Sequence, residues 1–294
     1  MPVHSRPVAD ASLLGARLDA LAAKIDIGMI SPDPLELVHR YREPRDQEVA
    51  GLLAAAFAYG RADIVVRNVG AVLEKMGSSP NAYLESFDPR AAGRRFRGFA
   101  HRFHKTPDLI ALLSRMAWAI REHGSLGELF RAGYRADDED IGDSLQRFVS
   151  ALIAAGDSLP VATRLRRASL AYLLTSPADG SACKRMNLYL RWMVRRESPD
   201  LGLWDFVDPA KLVMPVDTHI HRISTFLGLS ERKSADWIAA RAITTKLAAF
   251  NAADPVKYDF ALCRLGILDM CSRKRRKENC DVCLLRDVCR FPVE

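Results

Sequence analysis

From Ala11 onward the apolar residues recur at three- and four-residue spacing: Leu13, Leu14, Leu18, Leu21 and Ala22 fall on one stripe. That is the period of an amphipathic helix, not the two-residue alternation of a strand. The same period predicts helices over residues 35–41, 46–58, 63–76, 81–86, 109–123, 142–155, 168–175, 184–195, 218–227, 234–250 and 255–268. Asp33-Pro34 is a helix start, with proline suited to the first turn, and Tyr59-Gly60-Arg61 breaks one helical stretch from the next. No run of alternating β-branched residues is joined by a hairpin dipeptide. The pattern therefore predicts an all-α fold in two lobes. Residues 1–9 read as a disordered lead-in, and two long connections, 133–143 and 197–215, are rich in acids or prolines. No internal repeat or low-complexity tract is present.

Composition adds little to the fold and something to the setting. With 294 residues, 49% hydrophobic and 27% charged, the chain is long enough to bury a proper core, and its 17 Gly and 15 Pro exclude collagen-like sequence. The longest apolar runs fall far short of the ~20 residues that a spanning helix needs, so no membrane partner is expected. The start has no apolar signal core. A cytoplasmic, reducing setting follows as the expectation, and there clustered cysteines suggest metal or redox chemistry over disulfides.

Four of the six cysteines lie in the last 24 residues: Cys271, then eight residues, Cys280-Asp-Val-Cys283, then five residues, and Cys289. The central pair offers two ligands from a tight turn, and the flanking cysteines can close in from either side. Zinc accepts four thiolates, and so does a [4Fe–4S] cluster. Zinc ribbons pair two such knuckles and this chain has one, so the spacing favours the cluster, with zinc the other reading. Cys183 and Cys263 are expected as packed core thiols.

Lys and Arg outnumber Asp and Glu by 43 to 36, for a formal charge of +7. Two clusters matter more than the sum. Arg273, Lys274, Arg275, Arg276 and Lys277 sit between the first two cluster cysteines. Arg90, Arg94, Arg95, Arg97, Arg102 and Lys105 follow one another without an acid among them, interleaved with Phe96, Phe99 and Phe103, whose rings are expected to pack inward. Cations held together in this way suit a phosphate backbone, where released counterions drive binding; a solvated charged face is the plainer reading.

Three segments, in order, carry a resemblance. They are Gly180-Ser-Ala-Cys-Lys184-Arg-Met-Asn187-Leu-Tyr-Leu190, Val216-Asp217-Thr218-His219, and the four-cysteine end with its basic loop. Together they resemble the endonuclease III-like helix-hairpin-helix DNA glycosylases over about residues 170–294. More weakly, Ala56-Phe-Ala-Tyr-Gly-Arg-Ala-Asp63 resembles the helix and loop that those enzymes push into a duplex. The sequence departs from the family pattern where Ala182 replaces the second hairpin glycine, Ala178-Asp179 replaces Leu-Pro, and 197–215 lengthens the path to Asp217.

The resemblance implies N-terminal helices over 1–45 packed with the C-terminal lobe and a helical barrel over 46–196 ending in the hairpin. Residues 197–270 would be a linker and helices carrying the catalytic aspartate, and 271–294 the cluster motif. It implies a monomer that binds double-stranded DNA holding a damaged or modified base, associates with the nucleoid, flips that base out and cleaves its N-glycosidic bond. Asp217 would stabilise the charge that develops on the sugar, besides capping the helix that starts at Thr218. Lys184 would be the nucleophile at C1′, forming a Schiff base with AP-lyase nicking, helped by the positive field of Arg185; without that role the enzyme would be monofunctional and direct a water. Tyr59, Gly60 and Arg61 would fill the gap left by the flipped base, Gly180 would meet the backbone in the hairpin, and the cluster would shape Arg273–Lys277 against phosphates. The alternative is a non-catalytic DNA-binding protein that keeps the fold and the cluster. His219 and His221, two apart on a helix, share no face and are not expected to ligate one metal.

Overall fold

The computed structural model describes residues 10–24, 27–155, 167–271 and 276–291. The lead-in at 1–9 and, of the basic loop, Arg273, Lys274 and Arg275 lie outside the described residues. The fold is mostly helical. Its first elements are α1 (Ala11–Lys24), α2 (Leu35–Val38), α3 (Pro44–Ala56), α4 (Ala62–Met76), α5 (Pro80–Glu85) and α6 (Pro89–Arg95). A small hairpin of β1 (Ala100–His101) and β2 (His104–Lys105) then leads into α7 (Thr106–His123), α8 (Leu126–Gly133) and α9 (Gly142–Ala154). The remainder is α10 (Arg167–Leu173), α11 (Lys184–Val194), α12 (Thr218–Phe226), α13 (Trp237–Ala248), α14 (Asp259–Ile267) and α15 (Lys277–Asp281). Among the described residues, no helix is long and apolar enough to cross a membrane.

Helix α3 is buried from Asp46 to Ala56 and forms the middle of the molecule. It packs on α2 and α11. Small residues allow the close approach to α11: a side chain built on Gly51 would begin 3.0 Å from Met193 Cε and 3.2 Å from Tyr189 Cε2. On the other side α7 gathers α5, α6 and α8, while α12 lies on α14. Helix α1 packs against α14, and its Asp19 accepts from the Tyr258 hydroxyl at 3.1 Å. One apolar core connects these parts from Leu14 to Val288.

Short elements escape the period-based expectation. α6 and α8 are too brief to show a stripe; each begins on a side-chain cap, Asp88 Oδ1 accepting from the Arg90 amide and Ser125 Oγ from the Glu128 amide. The 197–215 stretch is not a loose linker. Trp204, Val207 and Met214 are buried, the Leu201 and Trp204 amides donate to the Trp192 and Met193 carbonyls, and Trp204 Nε1 donates to Glu48 at 2.8 Å. Burial pushes the Glu48 carboxyl above the usual range. Asp200 from the same stretch meets Arg191 and Arg195 in a buried ion-pair network that also takes in Asp254 and Asp259.

Candidate active site and cysteine centre

A cavity of about 580 Å3 opens where α2, the break between α3 and α4, and the first residues of α11, α12 and α14 meet. Lys184 is the first residue of α11. The turn ahead of it holds two left-handed residues, Gly180 at φ 70° and Cys183 at φ 48°. The Gly180 amide donates to Pro177 O and the Cys183 amide to Ser181 Oγ, so both donors are used within the turn. Gly180 in turn accepts from the Trp237 amide. The turn sends Lys184 into the cavity, where its Nζ donates to Ala58 O at 3.2 Å.

Asp217 caps α12. Its Oδ1 accepts from the His219 and Ile220 amides at 2.8 and 2.9 Å. Oδ2 is left facing Lys184 Nζ at 3.9 Å, and both side chains keep contact with solvent, at 21% and 28% exposure. The cap thus uses one oxygen of the carboxylate and leaves the other toward Lys184. Gly60 and Arg61 line the same cavity, with Arg61 exposed and paired to Asp63 at 2.8 Å.

Two other lining groups, Asp33 and Asp259, had no site role assigned from the sequence. Asp33 caps α2 through the Leu35 amide at 2.9 Å, and burial lifts its carboxyl above the usual range. Asp259 is fully enclosed against Arg191; burial pushes it up to about 6 even though the guanidinium opposes the shift. Their sequence signals were slight, an Asp-Pro helix start and one acid opening an apolar helix. His219 lies against the backbone of Gly266, whose added side chain would begin 2.5 Å from the imidazole Nδ1. His221 points instead to Arg232 O at 2.9 Å, so the two histidines serve different places. Cys183 is a fully buried thiol, whereas Cys263 packs on the core with one side on the cavity.

Tyr59 and Arg185 turn away from this cavity. The Tyr59 ring joins Phe57, His101, Phe103, His104 and Tyr172, and its hydroxyl pairs with His104 Nδ1. Burial pushes the Tyr59 phenol up and both imidazoles down. Arg185 was expected beside DNA and in support of Lys184. It is buried instead, its guanidinium donating to the Ala56 and Tyr172 carbonyls beneath the two tyrosine rings. Its cation is engaged inside because Tyr59 and Tyr172 close over it. Phe103, expected to pack inward, is 57% exposed.

At the C-terminus Cys271, Cys280, Cys283 and Cys289 all line one small cavity of about 40 Å3, walled by Ile223, Phe226, Leu227, Leu265, Leu285 and Phe291. Successive turns wrap the chain around it: Cys283 donates to Cys280 O, Arg286 to Cys283 O, and Cys289 to Arg286 O. Among the described residues, no group of three or more His, Cys, Asp or Glu is arranged to hold a metal ion. Burial raises the Cys271 thiol to about 11 and lifts that of Cys283. Arg222 joins the two cavities, with Nη2 3.3 Å from His219 Nδ1 and donating to Cys271 O. Arg276 and Lys277 are exposed at the start of α15.

The arrangement is that of a helical protein with a lysine–aspartate pair on a deep cavity and four cysteines around a separate apolar one. The chain belongs to the family described as "Protein of unknown function (DUF2400)", whose model matches residues 33–268. The match takes in Lys184, Asp217 and Asp259 and ends before Cys271. No curated protein and no solved structure matches the chain.

Proposed function

We propose that the protein is a DNA base-excision glycosylase of the helix-hairpin-helix type that flips a damaged or modified base into the 580 Å3 cavity and cleaves its N-glycosidic bond. The observation that carries this reading is the approach of Lys184 Nζ to Asp217 Oδ2 at 3.9 Å on the wall of that cavity. The two groups come from separate helices, and each is held by a backbone contact of its own, to Ala58 O and to the α12 amides.

In the bifunctional form the Lys184 amine attacks C1′. The C1′–N bond to the base breaks as the new C–N bond forms, and the base leaves with the electron pair. Asp217 takes the proton that the attacking amine sheds and stabilises the cationic sugar. The adduct opens to an iminium as the C1′–O4′ bond breaks and O4′ takes up a proton. Loss of a C2′ proton then expels the 3′-phosphate with the C3′–O electron pair, and water hydrolyses the imine to release the lysine. In the monofunctional form Asp217 directs a water to the same carbon.

The donor set at the C-terminus suits an iron–sulfur cluster. Four thiols line one largely apolar space, with no His, Asp or Glu among its lining residues. A [4Fe–4S] cluster on Cys271, Cys280, Cys283 and Cys289 would supply a rigid anchor for the basic loop between the first two of them. These residues lie apart from Lys184 and Asp217, so excision needs no step at the cluster.

Borohydride trapping on a duplex with an abasic site tests the reading. Wild type is expected to give a covalent adduct that Lys184→Ala abolishes. Base release without an adduct would leave the monofunctional form. Neither activity on a panel of damaged bases would leave a DNA-binding protein without catalysis.

A further inference from the structure

β1 and β2 are joined by only two residues, Arg102 and Phe103. The first position of so short a turn takes a positive φ and favours Gly, Asn or Asp. Arg102 occupies it at φ 53°, in the left-handed region that a side chain disfavours. Phe103 beside it is 57% exposed, and Tyr172 from α10 is 42% exposed. These rings belong together: Phe103 stacks near Tyr59 at 5.8 Å between centroids and meets Tyr172 edge-on at 4.8 Å. From beneath, the buried Arg185 guanidinium lies 4.5 Å from the Tyr172 ring and 5.2 Å from Tyr59. The result is a braced aromatic surface, with its flat faces fixed before any ligand arrives.

The charge around it selects the occupant. Arg90, Arg94, Arg95, Arg97, Arg102 and Lys105 are all exposed, and the sequence carries no Asp or Glu between Asp88 and Asp108. A ligand that offers π-faces and closely spaced negative charge satisfies both features at once, and a nucleic-acid strand with unstacked bases is such a ligand. The surface also adjoins the catalytic cavity. Arg102 Cδ and Nη1 lie 3.4 Å from where a side chain on Gly60 would begin, and Gly60 lines that cavity.

We propose that Phe103, Tyr172 and Tyr59 form a stacking platform for an unpaired nucleobase outside the catalytic cavity, with Arg102 on the adjoining phosphate. The proposal rests on the nucleic-acid reading above and narrows it: the preferred substrate is a duplex interrupted by unpaired nucleotides. Tyr59 then acts as part of a fixed surface and not as a wedge.

The test is an anisotropy titration of the full-length protein with two labelled oligonucleotides, a continuous duplex and the same duplex with a short single-stranded gap. Wild type is expected to prefer the gapped form by about tenfold. Phe103→Ala and Tyr172→Ala should each lose most of that preference while keeping continuous-duplex affinity within about twofold, and Phe103→Trp should retain it. Arg102→Gly should melt no lower than wild type, since it relieves the positive φ, yet reduce the salt slope by about 0.9. Alanine variants that bind the gapped duplex as wild type does, or a wild type without the preference, would overturn the platform. So would Phe103-dependent sedimentation with phosphatidylglycerol vesicles in place of the gap preference. The titration reads binding alone. Absence of both the borohydride adduct and base release with the gap preference intact therefore removes the glycosylase and keeps the platform, and base release or a successful trap without the preference does the reverse.

Discussion

Asp217 divides its work between two oxygens: Oδ1 satisfies two amides at the start of α12, and Oδ2 faces Lys184. Asparagine caps a helix about as well as aspartate does but carries no charge. Asp217→Asn should therefore fold and melt like wild type and bind duplex unchanged, while base release falls by about 10²–10⁴-fold. Asp217→Ala loses the cap as well and should be less stable by about 1 kcal/mol. Single-turnover base release beside thermal melting separates the two effects; wild-type turnover in the asparagine variant would take the carboxylate out of the mechanism. The hairpin shows a similar division. Gly180 and Cys183 use their amides inside the turn, so the turn's evident task is to aim Lys184.

At the scale of elements, Arg191 ties α11 to α14 through Asp259 and to the 197–215 stretch through Asp200, all three side chains being almost wholly buried. Removing the cation strands Asp259 away from water and leaves Asp200 with Arg195 alone. Arg191→Met should cost about 3–5 kcal/mol in urea denaturation. The loss should depend on pH. Burial already raises Asp259 to about 6 in the fold, above its ordinary 3.8. A raised carboxyl binds its proton better folded than unfolded, so its contribution is favourable at low pH and is lost as pH rises through the folded value. Without Arg191 the Asp259 carboxyl rises further, and the penalty should be smaller at pH 5 than at pH 8; an equal penalty at both would mean that Asp259 stays ionised throughout. This network also shows what the sequence could carry. Helices with a stripe of two turns or more, such as Ala62–Met76 and Gly142–Ala154, were legible from periodicity. The strand pair and α8 were not, being too short to repeat. Lys184 and Asp217 stood out through local motifs, whereas Arg191 and Asp259 are 68 residues apart and a buried ion pair leaves no pattern along the chain.

At the scale of the whole molecule, cations gather in two places, the 90–105 segment and the loop that opens between Cys271 and Cys280. Arg276 and Lys277 are exposed and begin the helix that carries Cys280, so a centre held by the four cysteines, as proposed, would also set the position of these two charges. The two roles can be separated. Arg276→Gln with Lys277→Gln should leave the iron content and visible colour of the purified protein unchanged. Each lost phosphate contact lowers the slope of log affinity against log salt by about 0.9, so the double variant should lose about two units of slope. Cys283→Ser should instead release the metal and bleach the colour, and with the anchor gone it should also lose slope, although no cation has been removed. Iron and acid-labile sulfide analysis of the same samples identifies the centre; zinc in a colourless wild type would replace the cluster with a single ion. If the cysteine variant loses its metal and keeps the full slope, the loop finds phosphate without the centre, and the cysteines serve the fold alone.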